Sequence, residues 1–246
     1  MKIILLRHGE SQWNLENRFT GWKDVDLTDL GRIEAEFSGQ EILRNNIKVN
    51  VIYSSLLKRS IETASIVAKS LGYQSSKIKK NWRLNERHYG ELQGLNKSET
   101  AEKFGENQVH IWRRSYDIPP PPLKKNDKRH PIHNDTFKNI DESQLPCGES
   151  LKDVVKRLEP FWFKFFNQIS KDKNYLIVAH SNSLRAIVKI IEDLSEKMIV
   201  KVEIPTGVPL VYDFDNQFKI IKKEFLIEEK LLKLKQESII NQGKVR

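Results

Sequence analysis

The alternation of apolar runs and polar turns constrains the fold of this chain more than any other feature. Strand-like runs at 2–6, 49–53 and 175–179 each precede a stretch whose apolar residues recur at helical spacing. A repeated order of strand, turn and helix predicts a mostly parallel sheet with helices on both faces. We therefore expect an α/β fold, a three-layer α/β/α sandwich.

Local signals refine this outline. Thr28 is a suitable N-cap for a helix that carries Leu30, Ile33 and Phe37 on one face. A third strand is expected over 78–84, where apolar and polar residues loosely alternate. The same reasoning predicts helices over 57–71, 151–166 and 184–191, a cap at Ser54 or Ser55 for the helix over 57–71, and a closing hairpin over 208–226.

The chain length of 246 residues suits one large domain or two small ones, and we expect a single domain over residues 1–246. Within it, regular patterns weaken over an inserted region at about 87–148, with one or two short helices at 97–115 and a long loop from Pro119. An irregular insertion of that size is usually functional, so we expect it to contribute to an active site. The end of the chain, about 236–246, is expected to be a flexible tail.

Charge and cysteine content narrow the function classes. The 42 Lys and Arg residues against 33 Asp and Glu give a net charge of +9, which fits nucleic acid, an anionic surface or small phosphorylated substrates. The basic residues are scattered and no nucleic-acid-binding motif accompanies them. A single cysteine, Cys147, excludes an internal disulfide framework. Neither a signal peptide nor a membrane span is recognisable, so a cytoplasmic protein is expected.

Several reactive side chains follow directly after predicted strands. Arg7 and His8 end the first strand, Arg59 follows the second, Glu86 the third, and His180 the strand at 175–179. Ligands of such sheets bind beyond the carboxyl ends of the strands, so these side chains should converge. Alone, each has a plainer interpretation: a solvated arginine, a turn histidine or a surface ion pair.

Together these side chains suit phosphoryl transfer. A neutral imidazole such as His8 is nucleophilic near pH 7, and arginines can grip phosphate oxygens in bidentate fashion. Glu86 can exchange a proton with a substrate hydroxyl, and His180 can donate to the transferring group. Positioning and charge are most of what phosphoryl transfer needs, so no metal is required. Histidines 110, 130 and 133 lack the support of further ligands for a metal site.

The motif at 7–14, Arg-His-Gly-Glu-Ser-Gln-Trp-Asn, resembles the signature of the histidine phosphatase superfamily. More narrowly, the chain resembles the family of 2,3-bisphosphoglycerate-dependent phosphoglycerate mutases, and the likeness runs nearly end to end. The strings that carry it are 19–22, 57–59, 84–90, 92–97, 112–114, 179–180, 182–185 and 204–212; those around 84–97 and 204–212 are specific to the mutases.

The resemblance implies a phosphoglycerate mutase-like fold and defined residue roles. His8 would be the nucleophile, Glu86 the proton donor and acceptor, and His180 the stabiliser of the transition state, with Arg7 and Arg59 completing the catalytic set. Substrate contacts would come from Arg7, Ser11, Asn14, Thr20, Gly21, Arg59, Glu86, Tyr89, Lys97, Arg113, Arg114, Ser181 and Asn182. Ser11 and the pair Thr20-Gly21 are typical of mutases rather than of relatives that favour bisphosphoglycerate synthesis.

The implied reaction is the interconversion of 3-phosphoglycerate and 2-phosphoglycerate, in glycolysis and gluconeogenesis, with 2,3-bisphosphoglycerate priming the histidine and no metal. The family also implies a homo-oligomer, dimer or tetramer, and partners that are small phosphorylated glycerates rather than nucleic acid or membrane. Two rival functions stay open: a phosphatase of the same superfamily, in which water dephosphorylates His8, and a non-catalytic basic scaffold.

Ser181 and the C-terminal tail need separate comment within this resemblance. Ser181 stands where the family has glycine, so a contact from its backbone N–H to phosphate requires that Ser181 have a negative φ. The tail from Gln236 to Arg246, with Gly243 and Lys244 near its end, resembles the family's flexible basic tail. It is expected to act as a lid that excludes water, although a frayed terminus is the plainer alternative.

Overall fold

The structure, a computed structural model, describes residues 1–242. The helices and strands of that part alternate along the chain much as the sequence predicts. They are β1 Lys2–Arg7, α1 Gln12–Leu15, α2 Asp29–Arg44, β2 Val51–Ser54, α3 Lys58–Ser70, β3 Lys79–Lys80, α4 Lys97–Phe104, α5 Glu106–Arg114, α6 Leu151–Gln168, β4 Tyr175–Ala179, α7 Ser181–Glu192, α8 Glu196–Ile199, β5 Pro209–Phe214, β6 Ile220–Phe225 and α9 Glu229–Asn241.

The strands form one mixed sheet in the order β3-β2-β4-β1-β5-β6. The four strands β1 to β4 are parallel, and β1 lies beside β4 with Arg7 opposite Ala179. β5 and β6 form the predicted closing hairpin and run antiparallel to their neighbours. The prediction of a mostly parallel sheet is confirmed. Its register brings the residues that follow β1 and β4 side by side.

Helices cover both faces of the sheet, as the alternation of side chains along β1 requires. Ile3 and Leu5 belong to the apolar cluster that β1 shares with α6 and α7. Ile4 and Leu6 point to the other face and pack with residues of α2 and α3. Both sets are fully buried, which explains why β1 reads as a continuous apolar run.

α2 begins as predicted but buries a different face. Thr28 caps it, its Oγ1 accepting the N–H of Gly31 at 3.0 Å. Leu30 and Ile33, which the sequence places on one face, are 52% and 61% exposed, so this face is not the one that packs on the core. Apart from Ile42, the buried side is built of small residues, and a Cβ at Gly31 would lie only 2.0 Å from the carbonyl oxygen of Glu10. Close approach to the loop after β1, rather than apolar area, sets the orientation of α2.

The predicted third strand is mostly absent. Only Lys79–Lys80 pairs with β2, and the residues after it form a 3₁₀ helix over Trp82–Leu84. Asn81 caps this turn, its Oδ1 accepting the N–H of Arg83 at 2.9 Å. The chain thereby leaves the sheet early and turns towards the ends of β1 and β4.

The inserted region contains α4 and α5, which confirms the short helices predicted at 97–115. Gly105 separates them with φ +85°, in the region of φ that favours glycine. Further along the chain, α9 continues to Asn241, so most of the predicted tail that falls within residues 1–242 is helical; Gly243, Lys244 and Arg246 lie outside the described residues. No helix within residues 1–242 is long and apolar enough to cross a membrane.

Candidate active site

His8 lies directly after β1 and is almost completely buried. Its main-chain N–H donates to the carbonyl of Ala179 at the end of β4 (3.0 Å), which fixes the two strand ends relative to each other. Gly9 follows, and a Cβ there would lie 2.0 Å from the carbonyl oxygen of Gly31. The loop that carries His8 therefore fits against α2 only with glycine at this position.

The hydrogen bonds of the His8 ring decide which nitrogen can act as a nucleophile. Nδ1 lies 2.7 Å from the carbonyl oxygen of Gly9 and, since a carbonyl only accepts, Nδ1 carries the proton. Nε2 keeps its lone pair and accepts from Arg59 Nε at 3.3 Å. Burial, and next the charges of Arg59 and Arg7, lower the pKa of His8 well below its usual value. The ring is thus neutral at neutral pH, with Nε2 as the nucleophilic atom.

Arg59, in the first turn of α3, is held by main-chain carbonyls. Nη1 donates to Lys23 O (3.0 Å) and Nη2 to Gly21 O (2.8 Å). With the bond to His8, residues 1–242 engage three of the five N–H groups of this guanidinium, which leaves two for a phosphate. Burial lowers the pKa of Arg59 to about 10, so the side chain remains a cation at neutral pH.

Arg7 is a second buried cation beside His8. Its Nη1 donates to the carbonyl of Ile204 (3.0 Å), and its Nε is buried without a hydrogen-bond partner in residues 1–242. Burial also lowers the pKa of Arg7. An unpaired buried N–H is costly, and an anion bound here would satisfy it.

His180 follows β4, and its ring centroid lies 4.9 Å from that of His8. His180 Nε2 lies 2.8 Å from Ser55 Oγ, which also accepts the N–H of Leu57 at 3.1 Å. Because Ser55 Oγ already accepts one hydrogen bond, its own hydroxyl proton can be donated to His180 Nε2. Nε2 is then the acceptor, and the proton of the neutral ring lies on Nδ1. Nδ1 is buried and has no partner within the described part of the chain. Burial, then Arg59, lowers the pKa of His180 well below its usual value.

Ser55 itself was expected only as a possible helix cap. The residue that precedes α3 is instead Leu57, whose side chain makes no capping bond, and Ser54 Oγ lies 3.1 Å from Ser60 Oγ. The sequence gives no signal for a contact between Ser55 and a histidine 125 positions away.

Glu86 reaches the site from the segment that follows the 3₁₀ helix. Its carboxylate accepts two main-chain N–H groups on Oε1, from Arg87 (2.8 Å) and from Asn182 (3.1 Å). Only 7% of Glu86 is exposed, so the simpler interpretation of a surface residue does not hold. The carboxylate faces the same cavity as His8.

α7 presents its first turn to the cavity, to which Ser181 and Asn182 both contribute. Ser181 is not among the residues of the described chain with positive φ, which meets the condition for serine in place of glycine. The first N–H groups of a helix have no acceptor within it and are suited to bind anions. Asn182 is held from two sides, by Tyr89 (3.4 Å from Asn182 Nδ2 to the hydroxyl) and by Arg185 (3.1 Å).

The outer part of the cavity carries Lys97 at the start of α4 and Arg113 at the end of α5. Lys97 Nζ donates to Gln242 Oε1 (3.0 Å), and Arg113 Nη1 donates to the main-chain carbonyl of the same residue. Burial, then repulsion by neighbouring arginines, lowers the pKa of Lys97 well below its usual value and that of Arg113 to about 10. A bound anion would offset both effects. Beside them, Arg114 pairs with Glu203 at 2.6 Å.

The remaining wall comes from the start of the chain. Asn14, Thr20 and Gly21 line the cavity, whereas Ser11 does not. Ser11 instead holds Asn14, because its hydroxyl and its N–H both donate to Asn14 Oδ1, at 2.8 and 3.1 Å. Ser11 therefore contributes to the site by positioning the side chain of Asn14 rather than by lining the cavity.

Taken together, the cavity collects the predicted site residues apart from Ser11 and His180. Five further residues line it that were not predicted to contact substrate, Arg18, Phe19, Arg185, Ile239 and Gln242, and the last two belong to the tail that was expected to close the site. Of its described lining residues, seven are Arg or Lys, against the single carboxylate of Glu86. The arrangement suits a ligand with several negative charges. In residues 1–242 no group of three or more His, Cys, Asp or Glu side chains could hold a metal ion.

Comparisons of the sequence with known proteins point to one superfamily and to one family within it. The sequence profile of the histidine phosphatase superfamily (branch 1) matches residues 3–224. The chain is 48% identical over 246 residues to a 2,3-bisphosphoglycerate-dependent phosphoglycerate mutase of Borreliella afzelii, covering 100% of this chain and 99% of that protein. It is also 48% identical to a protein of the same name from Treponema denticola, with 99% of each chain covered.

Solved structures show a similar fold at lower identity. A mycobacterial glucosyl-3-phosphoglycerate phosphatase in complex with VO3 matches 91% of this chain and 96% of its own, with a TM-score of 0.70 and 20% identity. A likeness at that identity concerns the architecture only. It agrees with the three-layer arrangement described above.

Proposed function

Because the chain belongs to the histidine phosphatase superfamily and, within it, to the 2,3-bisphosphoglycerate-dependent phosphoglycerate mutases, we propose that it interconverts 3-phosphoglycerate and 2-phosphoglycerate through a phosphohistidine at His8. The observation that carries the assignment of His8 is its neutral ring, with Nε2 unprotonated and Arg59 3.3 Å away. The cationic cavity in front of it fits a bisphosphorylated acid.

The chemistry consists of the same transfer run in both directions. His8 Nε2 attacks a phosphate, the bond between phosphorus and the glycerate oxygen breaks, and Glu86, protonated for this step, gives its proton to that oxygen. In the reverse direction Glu86 takes the proton of a free hydroxyl while the hydroxyl oxygen attacks phospho-His8. Returning the phosphate from the other carbon after the glycerate has turned in the site produces the isomer. 2,3-Bisphosphoglycerate supplies the phosphoryl group that primes His8.

The inner cations stabilise the charge that moves with the phosphoryl group. The two free N–H groups of Arg59 and the unpaired Nε of Arg7 are available to its equatorial oxygens. His180 adds the N–H of Nδ1, set by the contact of Nε2 with Ser55. A dianion close to His180 would also raise the pKa of its ring, which burial and Arg59 lower.

The outer cations would hold the groups that do not react. Lys97, Arg113 and Arg114 are suited to the carboxylate and the second phosphate. Lys97 and Arg113 donate to oxygen atoms of the neutral residue Gln242, which the oxygens of a ligand can replace. Such exchangeable contacts suit a reaction in which the intermediate must reorient between two transfers.

Incubation with 2,3-bisphosphoglycerate, followed by mapping of acid-labile phosphate, tests this function. We expect label on His8 alone, none on a folded His8→Ala variant, and mutase turnover far above the release of phosphate to water. Label on His180 would reverse the two roles. Phosphate release in excess of mutase turnover would favour a phosphatase, and the absence of any phosphoenzyme would favour a binding protein.

Three further parts of the proposal follow the family resemblance. We propose that no metal takes part, so prolonged EDTA treatment should leave turnover intact; a loss restored by manganese would contradict this.

We also propose a homo-oligomer, to be measured by light scattering, with neither nucleic acid nor membrane as a partner. We also propose that the reaction takes place in the cytoplasm, where 3-phosphoglycerate would be available.

A further inference from the structure

The segment that carries Glu86 has no strand or helix of its own. Residues 85–88 follow the 3₁₀ helix Trp82–Leu84 and precede the one at Gly90–Leu92, so the ladder of the sheet does not hold them. Yet a proton donor must keep its carboxylate within hydrogen-bond distance of the substrate oxygen in both directions of the reaction. Some other part of the molecule has to fix this backbone.

A buried side chain of α6 takes that place. Arg157 Nη1 donates to the carbonyl of Arg83 (2.7 Å), and Nη2 lies 3.2 Å from the carbonyls of both Asn85 and Glu86. The Glu86 carbonyl also accepts from Trp22 Nε1 at 2.6 Å. One guanidinium thus reaches three carbonyl groups in four consecutive residues, including that of Glu86 itself.

Glu149, just before α6, holds both the arginine and the far end of the segment. Arg157 Nε and Nη2 donate to Glu149 Oε1 (2.6 Å) and Oε2 (3.1 Å), a bidentate pair. Glu149 Oε2 also accepts the N–H of His88 at 2.8 Å, and Glu149 N–H donates to the carbonyl of His88 at 2.9 Å. The ion pair therefore bridges the segment on both sides of Glu86.

Burial makes this pair sensitive to change. The two side chains are 6% and 5% exposed, and neither charge could be left without the other at low cost. The pair is anchored on α6, whose neighbouring residues Val154 and Leu158 belong to the main apolar cluster. A rigid helix thus supports a segment that otherwise lacks regular structure.

We propose that Arg157 and Glu149 are positioning residues for Glu86, which hold its carboxylate at the distance that proton transfer requires. This inference rests on the proposed function, because it concerns the proton that Glu86 exchanges. Among the described residues that line the cavity, Arg157 hydrogen-bonds only to the main chain of Glu86. Its charge also contributes, after burial and Arg59, to the lowered pKa of His180, and a lysine at this position keeps that charge, so the loss of the fork acts through Glu86.

A double-mutant cycle in the full chain tests the proposal. Arg157→Lys keeps the charge that Glu149 requires but loses the fork that reaches the carbonyls. We expect it to lower the kcat of mutase turnover by about tenfold to a hundredfold, the effect of a misplacement near 1 Å, with a much smaller change in KM. In a Glu86→Gln background the same substitution should lower kcat less than about twofold, since the proton transfer it serves is already lost.

The matched control is Ile42→Ala in α2, a fully buried residue of the apolar cluster on the other face of the sheet. It should lower the melting temperature at least as much as Arg157→Lys while keeping kcat. Glu149→Gln, whose amide oxygen can still accept from His88, serves as a second variant if Arg157→Lys does not fold. Equal losses of kcat in the wild-type and Glu86→Gln backgrounds, or an equal loss in Ile42→Ala, would overturn the positioning role. Absence of turnover and phosphoenzyme in the unmodified chain would instead overturn the proposed function, and this inference with it.

Discussion

The inner and outer parts of the cavity hold their cations in different ways. At the inner end, Arg7 and Arg59 donate to main-chain carbonyls of loops, at Ile204, Gly21 and Lys23. At the outer end, Lys97 and Arg113 donate to a single residue, Gln242, just beyond the end of α9. The inner contacts are built into the fold, whereas the outer ones end on a residue close to the end of the chain.

This difference separates two demands on a mutase. Transfer of the phosphoryl group profits from donors whose positions are set before the substrate arrives, because no reorganisation is then needed in the transition state. Reorientation of the bound bisphosphate needs contacts that can be released and remade. Inner substitutions should therefore act mainly on kcat, and outer substitutions on retention of the intermediate.

The largest expected effect tests the inner part. Glu86→Gln should lower kcat by about two to four orders of magnitude, the usual span for an acid–base group, because the amide keeps size and hydrogen bonding but cannot exchange the proton. KM should change far less. Steady-state kinetics measure both, with the exposed neighbour Glu91→Gln as control.

A donor with a good leaving group, which needs no proton, adds a second measurement for the same variant. His8 should still be phosphorylated by such a donor at close to the normal rate. If phosphorylation collapses equally with both donors, Glu86 binds the substrate instead of moving its proton, and the distinction between the two parts of the cavity is weakened.

The inner part was largely predictable from the sequence because the responsible signals are local. An apolar run followed at once by Arg7-His8 or by His180 places those residues at strand ends. The parallel register of β1 and β4 then brings the two strand ends side by side. The partners of these residues were not predictable. Ser55 and His180 are 125 positions apart, so their contact exists only once β2 and β4 are paired.

Two features of the fold that the sequence pattern does not give have a physical cause of the same kind. Apolar spacing places Leu30 and Ile33 on one face of α2, but another face is buried, because the loop after β1 requires the close approach that only Gly31 permits. The loose alternation after Lys80 suggested a longer strand, but the side chain of Asn81 caps a 3₁₀ turn. In both places a short-range steric or hydrogen-bond demand overrides the average pattern.

A truncation tests the outer part. Deleting residues 238–246 removes Ile239 and Gln242 from the cavity but keeps the pair of Lys235 with Glu34 (2.6 Å) that holds α9. If the end of the chain closes the site, mutase turnover should fall by about tenfold, roughly 1.4 kcal/mol, and water should attack phospho-His8 faster.

The melting temperature serves as the control for this truncation. It should move by no more than about 2–4 °C, the shift that 1 kcal/mol produces in a chain of this size. Gln242→Ala separates loss of the side chain from loss of the segment. Unchanged turnover together with unchanged phosphate release in the truncated protein would show that the end of the chain is not a lid.

The smallest effect is expected for Ser181, the position beside the inner cations where this chain has serine and the mutase family has glycine. Ser181 begins α7 without a positive φ, so its N–H can face the phosphate as that of glycine would. Ser181→Gly should therefore change affinity for 2,3-bisphosphoglycerate by less than about tenfold, below roughly 1.4 kcal/mol. Ser75→Gly, at the exposed first residue of a 3₁₀ helix, controls for the added backbone freedom. A large gain in affinity from Ser181→Gly alone would mean that serine holds this turn away from its best position, and that the inner part is less completely preorganised than its hydrogen bonds indicate.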